Sequence, residues 1–216
     1  MSTTRSDTRT EATGRRLGPL GKALSPRLSQ LQRNYLHQSS TARAELAKLR
    51  RGLGKPAGSV PEIWELTIGA ASDAMIEREP SRYFDEDLTT SEQAAHAALT
   101  LYAAHQQSRT EPMHVPTVTF GRAVRQLADH DSRSKEAVVA RFMATATAES
   151  IDELLVHVRG LIKQMRSARI GFDYAMFADD IDGLLRPARA QSVRLAWGRA
   201  FHRQERTTES NADDID

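Results

Sequence analysis

Arg159, Lys163 and Arg166 stand at positions i, i+4 and i+7 of one amphipathic segment. At about 100° per residue they share a strip of a helix, and like charges so spaced destabilise it by roughly 0.2–0.5 kcal/mol per pair. Such a row is either a solvated face, which water tolerates, or a surface that meets an anion such as a phosphate backbone. The stretch TARAELAKLRRGLGKP (41–56) raises the same question, because its expected helix carries Arg43, Lys48, Arg50 and Arg51 with only Glu45 to balance them. Cations at a helix C-terminus complement the partial negative charge there. Two adjacent arginines and a third two turns back exceed that need. Lys48 has Glu45, and Arg125 has Asp129, within helical reach; Arg43, Arg50, Arg51, Arg122, Arg141 and Arg194 have no acid three or four residues away.

Other chemistry is sparse. The chain has no cysteine, which excludes disulfides and Cys-ligated zinc or iron–sulfur centres. His105, His114 and His130 lack metal-motif spacing. Asp180, Asp182 and Gly183 fit the middle of a calcium loop. However, Ala178 falls where its first carboxylate belongs and Arg189 where its closing Glu belongs. Asp179, Asp180 and Asp182 therefore read as a solvated helix end, and Trp64, Trp197, Phe142 and Phe201 as core. No nucleophile–base pair and no phosphate-binding glycine loop stands out, so no enzyme, cofactor or metal is expected. Signatures of base reading are missing too: no RNP aromatics, GXXG loop or helix-turn-helix. Any nucleic acid would be held by its backbone, with little sequence preference.

The elements that must position these cations are helices. Leu28, Leu31, Tyr35, Ala42, Leu46, Leu49 and Leu53 recur at helical spacing, predicting one helix that stops at Gly52–Gly54. A second helix is expected from Pro61 to about Arg78, then a turn over 85–90 and an Ala-rich helix over 91–108. Two prolines in RTEPMHVPTV (109–118) mark a boundary or hinge. Short helices follow around Phe120–Leu127 and Ala137–Ala146. Ser150 and Glu153 form a capping-box pattern before the stripe Ile151, Leu154, Leu155, Val158, Leu161, Ile162 and Met165. Gly171 and Asp173 separate this helix from YAMFADDIDGLL, and a last helix over 189–204 carries Val193, Trp197 and Phe201. No strand alternation is visible. The expected fold is all-α: two small helical bundles (25–108 and 119–206) joined by a short linker (109–118). A disordered arm (1–24) and an acidic disordered tail (207–216) flank them.

The hydrophobic fraction of 39% suffices for a core. No apolar run approaches a membrane span, and the polar N-terminus lacks the apolar stretch of a signal peptide, so a cytoplasmic protein is expected. The net charge is only +2. Placement of charge, not its total, has to carry any nucleic-acid reading.

The segments ARAELAKLRRGLGKP, PEIW, ALTLYAAHQQ, FGRAVRQL, AVVARFMATATAESIDELLVHVRGLIKQMR and VRLAWGRAFHR, in this order, resemble the small subunit of the type I-E CRISPR Cascade complex, the CasB family. The resemblance spans about Ala42 to Arg203. Each motif is an amphipathic helix with arginines, so the series is specific and no single member is. It implies an all-α, non-catalytic subunit, present in two copies beside other Cascade subunits. That subunit would steady the guide RNA–target DNA heteroduplex and offer a basic path to the displaced strand. Matched motifs imply backbone contacts from Arg50, Arg51, Arg122, Arg159 and Lys163, with Arg43, Arg141 and Arg166 as further positions. The alternative is a structural spacer that only holds neighbouring subunits together; a free-standing nucleic-acid-binding regulator is a third reading.

Overall fold

The computed structural model describes residues 15–78 and 88–203, with backbone alone over 73–78. Among these residues the chain forms α1 (Pro19–Leu36), α2 (Ser40–Arg51), a 3-10 turn (Pro61–Ile63), α3 (Trp64–Arg78), α4 (Thr90–Gln106), α5 (Phe120–His130), α6 (Lys135–Thr147), α7 (Ile151–Ala168), α8 (Tyr174–Leu184) and α9 (Pro187–His202). The described residues hold no strand, only one parallel bridge between His114 and Phe172. The fold is all-α. None of the described helices is long and apolar enough to cross a membrane.

Two helices lie at the centre: small and apolar residues make up most of each, and the polar side chains they bury find partners on the same or neighbouring elements. Residues 94–103 of α4 are buried without interruption, and so are Tyr174–Gly183 of α8. These two pack on each other; α4 also meets α2, α3 and α7, while α8 also meets α1 and α9. Phe120 of α5 reaches this centre, its ring 4.8 Å from Trp197 and 5.3 Å from Phe177. One hydrophobic core thus runs from Leu20 to Phe201.

The helix expected from Leu28 to Leu53 is two. It breaks at His37–Ser39, where Gln38 takes φ 63°, and the Ser39 hydroxyl caps α2 by accepting from Ala42 N–H. Tyr35 and Ala42 are seven residues, two helical turns, apart, so the apolar positions keep their phase across the turn and hid it. The expected arm also ends earlier than residue 24. α1 starts at Pro19, suited to the first helical position by its fixed φ, and Leu20 and Leu24 are fully buried. Residues 1–14, the turn residues 85–87 and the tail 207–216 lie outside the described residues. Trp64, expected in the core, is 48% exposed and its indole N–H donates to Gly58 O at 2.7 Å. The capping box of α7 is half formed: Ser150 Oγ accepts from Glu153 N–H, but Glu153 Oε2 accepts from Glu149 N–H.

The acids of α8 are the largest departure from expectation. Far from a solvated end, Asp180 and Asp182 are almost fully buried and Asp179 nearly so. Gly18, at the start of α1, has no side chain to cap with. Asp179 supplies the carboxylate instead, accepting from Gly18 N–H (2.6 Å) and Gly21 N–H (2.9 Å). A Cβ on Gly21 would collide with Asp179 Oδ2, so only glycine allows this approach. Asp180 accepts from Trp197 Nε1–H at 2.7 Å and pairs with Arg15 at 2.5 Å. Asp182 accepts from Thr90 and Ser91 hydroxyls and from Arg186. The three acids fasten α1, α9 and α4 to α8.

The segment between α4 and α5 is pinned by two side-chain amides. Gln32 of α1 donates to His114 O (2.9 Å) and accepts from His114 N–H (2.7 Å). Gln106 accepts from Met113 N–H and donates to Glu111 O. Such pairing satisfies buried backbone groups in a stretch that has no helix to do it.

Candidate nucleic-acid interface

α7 buries Leu154, Val158, Leu161, Ile162 and Met165 and turns Arg159 and Lys163 to solvent. The expected ladder is real along its first two rungs. Its third, Arg166, is half-buried and its Nε–H donates to Gln107 O at 2.9 Å.

Neighbouring elements bring further cations to this face. Gly54 adopts φ +74°, a left-handed conformation that glycine tolerates. A Cβ there would meet Arg159 Nη1 at 2.5 Å, so the guanidinium rests on bare backbone just beyond α2. Across α7, Arg141 of α6 lies against Gly160. Arg50, in the last turn of α2, is half-buried; burial lowers its pKa, and the charge of nearby Arg166 lowers it further against the opposing effect of Tyr35. Arg43 lies seven residues before Arg50, on the same face of α2, with its guanidinium 3.4 Å from Gln38 Oε1. None of Arg50, Arg141, Arg159, Lys163 and Arg166 has an ion-pair partner among the described residues.

Two sequence-chosen cations stand apart. Arg51 is not unpaired: its Nη1 lies 2.6 Å from Glu62 Oε2 in the 3-10 turn. The acid is eleven residues on, beyond the reach of a helical-spacing test. Arg122 is exposed in the first turn of α5, on a different element from the α2–α7 group.

Sequence spacing missed Arg109, which sits in the connection after α4. Its Nε is buried without a partner among the described residues. Burial, then Arg166, then Arg109 hold His105 down to about 3, so this imidazole is neutral and both arginines lie close to it. Its Nδ1 is 2.9 Å from the Tyr174 hydroxyl. The one local signal was Arg109 beginning a loop at a helix end. Among the described residues no group of three or more His, Asp or Glu is placed to hold a metal ion. The face can hold anions by charge and guanidinium hydrogen bonds.

A family model described as CRISPR-associated protein Cse2 matches residues 45–202. The crystal structure of CasB from Thermobifida fusca is 32% identical with a TM-score of 0.69, covering 87% of this chain and 100% of that one. A CRISPR-associated protein of the Cse2 family from Thermus thermophilus matches at 23% identity and a TM-score of 0.56, over 84% of this chain and 96% of that one. CasB from M. ruber matches at 20% identity and 0.56, over 86% and 93%. The last two speak to the fold alone. No curated protein sequence matches the chain.

Proposed function

Because the chain belongs to the Cse2 family of CRISPR-associated proteins, we propose that it is a non-catalytic subunit of an RNA-guided surveillance complex. In this reading it contacts the backbones of the guide RNA–target DNA heteroduplex and of the displaced strand, in the company of other subunits and a second copy of itself. The observation that carries it is the gathering of Arg50, Arg141, Arg159, Lys163 and Arg166 around α7 without one acid paired to any of them among the described residues. Base pairing reads the sequence in such systems, and protein–backbone contacts tip a nearly balanced strand exchange. Weak contacts suffice, because assembly supplies a high effective concentration.

The test is Arg159→Glu with Lys163→Glu in a reconstituted complex, measuring assembly and target-DNA affinity at several salt concentrations. The variant should assemble and bind target more weakly, with a log–log salt slope shallower by roughly 0.7–0.9 per lost contact. Unchanged affinity would favour the spacer reading. That reading has its own support in Met143, Val156 and Leu195, large apolar side chains 41%, 59% and 51% exposed, which could meet neighbouring subunits.

A further inference from the structure

A cavity of about 580 Å³ opens between the loop after α2, the helix α4 and the first turns of α7. Its volume lies in the range of small-molecule sites, about 300–1,000 Å³. Leu101, Leu155, Ile181 and Leu185 supply aliphatic walls, while Gln93, His96 and Arg159 add polar groups. We propose that this cavity receives a nucleobase turned out from a strand whose backbone follows α7. The proposal rests on the backbone-contact reading above and extends it to a site for the base itself.

The chemistry of the lining favours such an occupant. A base is flat, with apolar faces and a polar edge, and aliphatic walls with few polar groups fit both. Gln93 donates one amide N–H to Leu88 O at 3.2 Å, leaving its second N–H as a donor and its carbonyl oxygen as an acceptor. His96 is buried, and its Nε2 lies 3.2 Å from Gly52 O and 3.1 Å from Lys55 O. Two carbonyl partners require Nε2 to carry the proton. Nδ1 is then an acceptor, and it has no partner among the described residues. Burial lowers the pKa of His96, against the opposing hydrogen bonds to Gly52 and Lys55, which keeps the ring neutral.

Charge at the mouth says what the occupant is attached to. Arg159 lines the cavity and also begins the cationic strip, with Lys163 about 6 Å farther along the helix at 1.5 Å per residue. Lys55 adds a second cation to the lining, against one acid, Asp152. A neutral apolar side chain from a partner protein would not need them. A base carried on phosphates uses the cavity for its ring and the strip for its backbone.

The experiment uses the full chain and a single strand carrying 2-aminopurine at one central position. The same strand with an abasic site there serves as the comparison. The intact strand should bind about tenfold more tightly, as burying roughly 50–60 Å² of apolar ring surface would give, with a change in 2-aminopurine emission. Ala57→Trp fills the cavity from the loop, and Val156→Trp blocks it from the exposed side of α7. Either should bring the intact strand down to the abasic level and leave abasic binding as it was. Equal binding of intact and abasic strands by the unaltered protein, or a preference that survives both variants, would overturn the proposal. If neither strand binds in a salt-dependent way, it is the backbone reading that has failed.

Discussion

The buried acids of α8 and the exposed cations of α7 are both runs of like charge on one helix, and the protein treats them in opposite ways. Asp179, Asp180 and Asp182 each accept at least two hydrogen bonds or ion pairs from other elements. Removing a carboxylate from water is costly unless such partners replace it. Arg159 and Lys163 remain at the surface, where solvation alone sustains their charge, and no acid among the described residues is paired with them. A charge run that the fold completes is structure. One that the fold leaves incomplete is available to a partner. Polarity in the sequence cannot separate the two; only their surroundings can.

The strongest way to break this comparison is Asp182→Ala. The carboxylate is 2% exposed, and although burial works against it, hydrogen bonds from Arg186 and Thr90 hold its pKa below the usual carboxylate range. Removing one partner of a buried pair costs roughly 3–5 kcal/mol. The melting temperature should fall by about 10 °C, at the few degrees per kcal/mol typical of this size. A shift of only a degree or two in a thermal melt would mean that the α8 acids are no more structural than the α7 cations.

A smaller effect comes from where the two regions meet. His105 sits beside Arg166 and Arg109 and is held at about 3 in the folded chain. The unfolded chain takes up its proton near the ordinary value of about 6.5, so stability is lost as pH falls from there toward 3, by about 1.4 kcal/mol per unit. Asp180 works the other way, since burial pushes it up to about 6 and protonation on acidification then favours the folded state. The clean measurement is therefore a difference. Denaturant unfolding of wild type and His105→Gln at pH 6.5 and 5 should show a loss smaller by about 2 kcal/mol in the variant, which has no proton to take up. Parallel losses would show that His105 does not feel burial and the two arginines as described.

Arg159→Glu with Lys163→Glu should change stability by less than about 1 kcal/mol, as surface substitutions do. Its effect should appear in nucleic-acid affinity instead. A large loss of stability in the isolated protein would place these cations with the acids, as parts of the fold.

The all-α class was legible because the apolar positions recur at helical spacing, and the cations of α7 were legible because spacing assigns them to one strip. The inward face of α8 was not. Its acids sit among alanines and aromatics, and their partners are Gly18, Trp197 and Thr90, too far along the chain for any local pattern to connect. The same distance hid Glu62 from Arg51, and Gln32 from His114. The turn at Gln38 was missed because the apolar positions keep helical spacing through it. Local rules find helices and strips of charge, and fail where a polar group's partner comes from another element.

The smallest expected effect is the most discriminating. Arg51 and Glu62 are both mostly exposed, with side chains 62% and 57% accessible, so water screens their attraction and the pair should contribute no more than about 0.2–1 kcal/mol to stability. Glu62→Ala should barely move the melting curve. What it does to binding depends on which side of the comparison Arg51 belongs to. Beside a phosphate backbone, Glu62 both competes for the guanidinium and repels the strand. Removing it would strengthen binding several-fold at low salt, and the gain would fade as salt rises. Arg51→Ala would then weaken binding, and in the double variant the benefit of removing Glu62 would shrink, a coupling that a double-mutant cycle reads directly. If Glu62→Ala leaves affinity unchanged while Arg159→Glu with Lys163→Glu lowers it, Arg51 is a completed surface pair outside the strand's path. The interface then narrows to the cations around α7.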